Sequence, residues 1–128
     1  MKLYLAARYD RRGELNGIAR SIAELGHSVT SRWLAGHGQG DADSALYDLT
    51  DVVVADALAL FTENPARTRA QSGGRHVEFG YALHANKTLF IVGPGENIFH
   101  GLPQVHRFAD TEEFLNFLAS PAATKGWP

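Results

Sequence analysis

The sequence predicts an α/β fold, a flavodoxin- or Rossmann-like three-layer sandwich with a mainly parallel, five-stranded sheet and helices on both faces. Three observations predict it. Short apolar runs alternate with segments of helical periodicity in the order β-α-β-α-β-α-β-β-α, the pattern of parallel strands joined by crossover helices. The first run is apolar like a buried strand opening such a fold. The 128 residues suit one domain around one core.

Each element has its own warrant. "KLYLAA" (Lys2 to Ala7) is the first strand. In "RRGELNGIARSIAELG", Leu15, Ile18, Ala19 and Ile22 recur at helical spacing, and Gly26 is well placed to stop that helix. "HSVTSRW" (His27 to Trp33) has the β-branched content of a second strand. After the glycine-rich "LAGHGQGDAD", a stripe of Ala45, Leu46, Leu49, Val52 and Val53 outweighs the strand-like valines and predicts a helix ending near Ala55. "ALALF" (Ala57 to Phe61) is the third strand, and a polar loop then leads into the helix of "GGRHVEFGYAL". "KTLFIVG" (Lys87 to Gly93) and the shorter "QVHRF" complete the sheet, with "TEEFLNFLA" the last helix. The domain is expected to span residues 1–119, followed by a loose tail over 120–128, with no internal repeat, linker or second domain.

Bulk properties narrow the function. A formal net charge of -2 gives no support for a nucleic-acid surface. No apolar run approaches the roughly 18 residues of a membrane span, and the opening residues do not make a signal peptide, so a cytoplasmic location is expected. Without cysteine there is no thiol nucleophile, disulfide or thiolate-bound metal. Six histidines invite a metal reading, but they form no HExxH pair, and "HVE" lacks the Cys-containing half of a zinc deaminase signature. "GDAD" is too short for a calcium loop. Neither a GxGxxG fingerprint, a P-loop nor a GxSxG elbow is present.

Ligands of parallel α/β sheets bind beyond the carboxyl ends of the strands. That edge would collect the residues after Ala7, Phe61 and Gly93, together with Glu78 near the start of its helix. A carboxylate there is favoured as an anion by the helix end and is competent to attack an anomeric carbon. The plainer reading is a glutamate that only complements the helix dipole. Asp48 shares a helix face with Ala45, Leu49 and Val52, at the margin of the apolar stripe, where a carboxylate is costly unless paired or used. Asp51 is expected to be solvated, and Asp56 to sit at a turn. Tyr4 either packs in the first strand or reaches an active carboxylate. Trp33 suits the core slightly better than a stacking role. Arg8, Arg11 and Arg12 either solvate a helix start or grip a phosphate in fork geometry.

Taken together, "KLYLAARYDRRGEL", "DLTDVVVADALALF", "GGRHVEFGYAL" and "VGPGENIFHGLP" resemble the nucleoside 2-deoxyribosyltransferase family over roughly Lys2 to Leu118. "SRW" and "NIFHGLPQV" resemble its phage- and actinobacteria-type branch, related to deoxynucleoside 5′-monophosphate N-glycosidases. The resemblance implies that Glu78 is the nucleophile at C1′ of a 2′-deoxynucleoside, leaving a deoxyribosyl-enzyme that a second base resolves. It implies that Tyr4 orients the glutamate and that Asp48 helps protonate the departing base. Asn97 matches a residue that reaches into a neighbouring subunit's site, and Gly74 belongs to the Gly-rich start of the signature. A homodimer or larger homo-oligomer with shared sites is implied, with no cofactor or metal. Where the family carries a second aspartate, six residues before the nucleophile, this chain has Ser72. Three functions follow: transfer of 2-deoxyribose between bases, hydrolysis of nucleoside 5′-monophosphates with Arg8 on the phosphate, or nucleotide sensing without turnover.

Overall fold

The computed structural model describes residues 1–36, 42–64 and 73–124. Five strands form one sheet: β1 (Lys2–Ala6), β2 (Ser28–Val29), β3 (Ala57–Phe61), β4 (Thr88–Val92) and β5 (Val105–Phe108). They lie in the order β2-β1-β3-β4-β5 and pair parallel throughout. The helices are α1 (Arg12–Glu24), α2 (Ala42–Val54), α3 (Gly74–His84), α4 (Thr111–Leu118) and the single turn α5 (Pro121–Thr124). Helices α1 and α4 pack together, as do α2 and α3, so each pair covers one face of the sheet. The expected three-layer sandwich is therefore the architecture found.

Both faces being covered explains why the inner strands run almost without polar residues after their first positions. All five residues of β3 are buried, as are the last four of β1 and of β4. On one face the rings of Phe61, Phe90, Phe108, Phe114 and Phe117 stack against one another. Helix α4 starts where Asp110 accepts a hydrogen bond from the Glu113 amide at 2.9 Å. Helix α1 buries Leu15, Ile18 and Ile22, and Gly26 follows it at φ +90°, the left-handed turn that releases a helix end.

Three expectations are corrected. The second strand is two residues long rather than seven, and Arg32–Ala35 forms a 3-10 turn. Side chains replace the missing ladder: the Leu5 amide donates to Ser31 Oγ at 2.7 Å, and Trp33 Nε1 donates to the Leu5 carbonyl at 2.9 Å. Trp33 is thus a core residue, as favoured. Helix α2 is rotated from its expected setting. It buries Ser44, Asp51 and Val52, while Leu46 (61 % exposed) and Val53 (50 %) face outward. Asp51 is consequently buried rather than solvated, accepting from the Arg32 amide at 3.0 Å and from Arg32 Nε at 2.9 Å. The expected loose tail begins with α5, whose Ala123 is buried.

Candidate active site

The sheet order sets the stage. The chain leaves β1 for β2 on one side and returns to β3 on the other, so the switch point lies above β1 and β3. Tyr4, in the middle of β1, is fully buried and projects toward α3. Its hydroxyl donates to Glu78 Oε2 at 2.8 Å. Asp48, on α2, shares a side-chain hydrogen bond with the same Glu78. A central strand and both helices of one face therefore bring together the three residues expected to be catalytic.

Two carboxyl groups in hydrogen-bond contact cannot both ionise freely. Burial, reinforced by the Asp48 charge and opposed by the Tyr4 hydrogen bond, pushes Glu78 up to about 8. Burial, then the charges of Glu78 and Asp48, push the Tyr4 phenol far above its ordinary value, so it remains a donor. The expectation of a glutamate held ionised by its helix is thus corrected. Glu78 lies in the second turn of α3, past the first turn where the dipole acts, and burial dominates. Glu78 is therefore held largely protonated near neutrality, with the Asp48 carboxyl beside it. Such a pair offers an anionic oxygen and an acidic proton a hydrogen bond apart.

Gly74 is the first residue of α3, exposed, with no heavy atom within 4 Å of where a Cβ would stand. Ser72 falls outside the described residues. Asn97 caps the 3-10 turn Ile98–Gly101, and its Oδ1 accepts from the Phe99 amide at 2.9 Å, so the side chain is turned to its own loop. Arg8 pairs with Asp10 at 2.8 Å and lines a cavity of about 480 Å³ over the ends of β1 and β3, together with Asp10, Arg11, Glu14, Thr62, Glu63 and Asn64; Tyr4, Asp48 and Glu78 are not among the residues that line it.

Arg11 and Arg12 are committed to the fold. Arg11 makes a two-pronged bond to Glu14 and also donates to the Thr62 carbonyl at 3.0 Å and to Glu63 at 2.9 Å. Arg12 donates to the Leu34 carbonyl and lies over the Tyr9 ring. Of the three arginines, Arg8 alone keeps the geometry of a grip: its carboxylate partner among the described residues, Asp10, is exposed and belongs to its own loop.

Sequence reasoning missed a second polar cluster. Glu96, in the loop after β4, accepts from Arg75 at 2.7 Å and from the Glu63 amide at 3.0 Å, and lies 3.4 Å from His76. Its own amide donates to His100 Nδ1 at 3.0 Å. The available signal was the Arg-His pair just before Glu78, which only a glutamate 21 positions downstream in sequence makes meaningful. No group of three or more metal-capable side chains occurs among the described residues.

No protein-family model matches the sequence, and a search of curated proteins finds no match. Solved structures do match. The chain is similar to a CMP N-glycosidase of Clostridium botulinum, with TM-score 0.67 and 18 % identity over 92 % of this chain and 98 % of that one. It is also similar to a 2-deoxyribosyltransferase of Bacillus psychrosaccharolyticus, with TM-score 0.70 and 20 % identity over 97 % of this chain and 95 % of that one. At these identities the likeness establishes a shared fold along nearly the whole chain, in agreement with the resemblance read from the sequence.

Proposed function

We propose that this chain is an enzyme of N-glycosidic bonds that transfers 2-deoxyribose between nucleobases through a deoxyribosyl-Glu78 intermediate. The observation that carries the reading is the Asp48–Glu78 carboxyl pair with Tyr4 at 2.8 Å. An ionised Glu78 oxygen attacks C1′, and the bond from C1′ to the base nitrogen breaks with its electron pair going to the base. The proton held by Asp48 passes to the departing base. Tyr4, unable to ionise near neutrality, holds the glutamate oxygen in line for attack. In the second half, an incoming base attacks C1′, Glu78 leaves as carboxylate, and Asp48 recovers a proton. Gly74 and Ser72 are assigned to substrate contact, and no metal or cofactor enters any step.

Hydrolysis of nucleoside 5′-monophosphates is the second reading. It is favoured by Arg8 beside a polar cavity, and by a solved neighbour that is a CMP N-glycosidase. Water then replaces the second base. We also assign the chain to a homo-oligomer with shared sites, Asn97 entering a neighbour's site. The support is an outward apolar face on α2 and α3 (Leu46, Val53, Val77, Tyr81), and exposed Ile98 and Phe99 beside Asn97.

Incubation with a deoxynucleoside and a foreign free base tests the reading. A new nucleoside supports transfer, and free sugar phosphate from a monophosphate supports hydrolysis. Neither product, despite nucleotide binding, would mean a sensing domain.

A further inference from the structure

We propose that Glu96 and His100 are positioning residues that lock the rotational setting of α3, and with it the placement of Glu78. This inference rests on the reading of Glu78 as nucleophile. The loop after β4 grips α3 on both sides of that residue. Upstream, Glu96 takes Arg75, buried in the first turn of the helix, at 2.7 Å and approaches His76. Downstream, the His100 ring meets Phe79, the immediate neighbour of Glu78, edge-on at 5.2 Å between centroids. The His76 and His100 rings lie 5.7 Å apart and close the grip.

The latch is tied to the strands as well. The second oxygen of Glu96 accepts from the Glu63 amide, and Glu63 in turn holds Arg11 at 2.9 Å. The loops after β1, β3 and β4 therefore share one chain of ion pairs and hydrogen bonds. Burial opposes the Glu96 charge, but the Arg75 hydrogen bond, the Glu63 amide and the Arg75 charge hold it below the usual carboxylate range. Side chains of a helix stand about 5–6 Å from its axis, so a rotation of about 10° moves a carboxylate by about 1 Å. A displacement of that size is enough to cost about 100-fold in rate.

The latch works with neutral His100. Its Nδ1 accepts from the Glu96 amide, so the ring proton sits on Nε2, and a second proton on Nδ1 would break that bond. His100 is 1 % exposed and faces Glu96, His76, Arg75 and Arg107. Burial first, then the His76 charge, favour its neutral form against the pull of Glu96. Among the described residues, Arg75 Nε, His76 Nδ1 and His100 Nε2 are buried without a hydrogen-bond partner, so the latch is held by the few bonds named above.

The test compares Glu96→Gln, His100→Leu and His100→Asn with wild type and with Glu78→Gln as the inactive reference. Asparagine keeps an acceptor near the Nδ1 position and cannot be protonated. We expect kcat to fall about 10- to 100-fold in Glu96→Gln and His100→Leu, with KM within about twofold. His100→Asn keeps the acceptor but loses the ring contact with Phe79, so its kcat should fall less than that of His100→Leu at pH 7 and should not fall further at lower pH through protonation at this position. Carbon-13 titration of the Glu78 carboxyl reads the same setting without turnover, and we expect its midpoint to fall when the latch is cut and water enters. If Glu78→Gln abolishes activity while Glu96→Gln and His100→Leu match wild type in kcat and in the Glu78 titration, the positioning role is overturned and the nucleophile stands. If wild type turns over no nucleoside or nucleotide, the nucleophile reading fails, and an unshifted Glu78 titration overturns the latch independently.

Discussion

Replacing Glu78 by glutamine should stabilise the protein, and the gain should grow with pH. The carboxyl is raised from an ordinary 4.5 to about 8 by burial and by Asp48. A carboxyl with a native pKa above its unfolded one binds its proton more tightly when folded. Its contribution to stability is therefore full below about pH 4.5 and declines as pH rises toward about 8. At about 1.4 kcal/mol per tenfold change in proton affinity, that interval corresponds to an upper bound of about 5 kcal/mol. Relaxation of the site on ionisation reduces the figure, and about 2–5 kcal/mol is expected. Glutamine reproduces the protonated pair at all pH values. Its carbonyl accepts from Tyr4, and its amide donates to Asp48 in place of the carboxyl proton. Urea unfolding of both proteins from pH 4.5 to 8.5 measures the difference. The two should agree within about 1 kcal/mol at the acid end, with the variant more stable at the alkaline end. A difference that is constant with pH, or largest in acid, refutes the claim that burial keeps this carboxyl protonated.

The remaining predictions address the chemistry and the assembly. Tyr4→Phe removes a charge-assisted hydrogen bond, so kcat should fall about 10- to 100-fold. The acid limb of the kcat/KM profile should move to higher pH, because that bond lowers the Glu78 pKa. Asp48→Asn should slow base departure by about 100- to 10,000-fold in single turnover, yet spare a substrate with a leaving group that needs no proton. Its acid limb should move to lower pH, because Asp48 raises Glu78. Arg8→Gln should raise KM about 10-fold for a nucleoside monophosphate and leave the unphosphorylated nucleoside unchanged, a contrast that steady-state kinetics reads directly. Paired Ile98→Asp and Phe99→Ser changes should lower the mass seen by light scattering while the melting temperature of the chain stays within a few degrees.

What was legible in the sequence was the part that local pattern controls. The strand-length apolar runs, the stop at Gly26 and the periodicity of α1 are chain-local features, and they specify the layers. That Tyr4, Asp48 and Glu78 meet followed from topology plus the resemblance of three short segments. The setting of α2 was harder to read. Its sequence offers an apolar stripe through Leu46 and Val53, but the fold turns those two residues outward and buries Asp51 beside Val52. Arg32 makes that burial tolerable, and it lies on the far side of a loop. The short β2 was hidden for a similar reason, since Ser31 and Trp33 serve the β1 backbone with side chains rather than with a ladder. The charge state of Glu78 is a tertiary property: the helix end argues for an anion, and only packing reveals that burial wins.

The proton held on a raised Glu78 also answers why two such carboxyls would be set against each other at all. Catalysis of exchange at an anomeric carbon needs a nucleophile and an acid in the first half, then a leaving group and a base in the second. The same two oxygens serve both halves if the proton can reside on Asp48 while Glu78 is free to attack. Tyr4 biases the pair that way, because a donor at 2.8 Å stabilises charge on Glu78 and offers nothing to Asp48. The bias is opposed by burial, so the anionic Glu78 is a minority form in the empty site near neutrality. A substrate whose base accepts the hydrogen bond of Asp48 would complete the polarisation. On this mechanism the chain is activated by its own leaving group, and ligands lacking a proton-accepting base should bind without shifting the Glu78 titration.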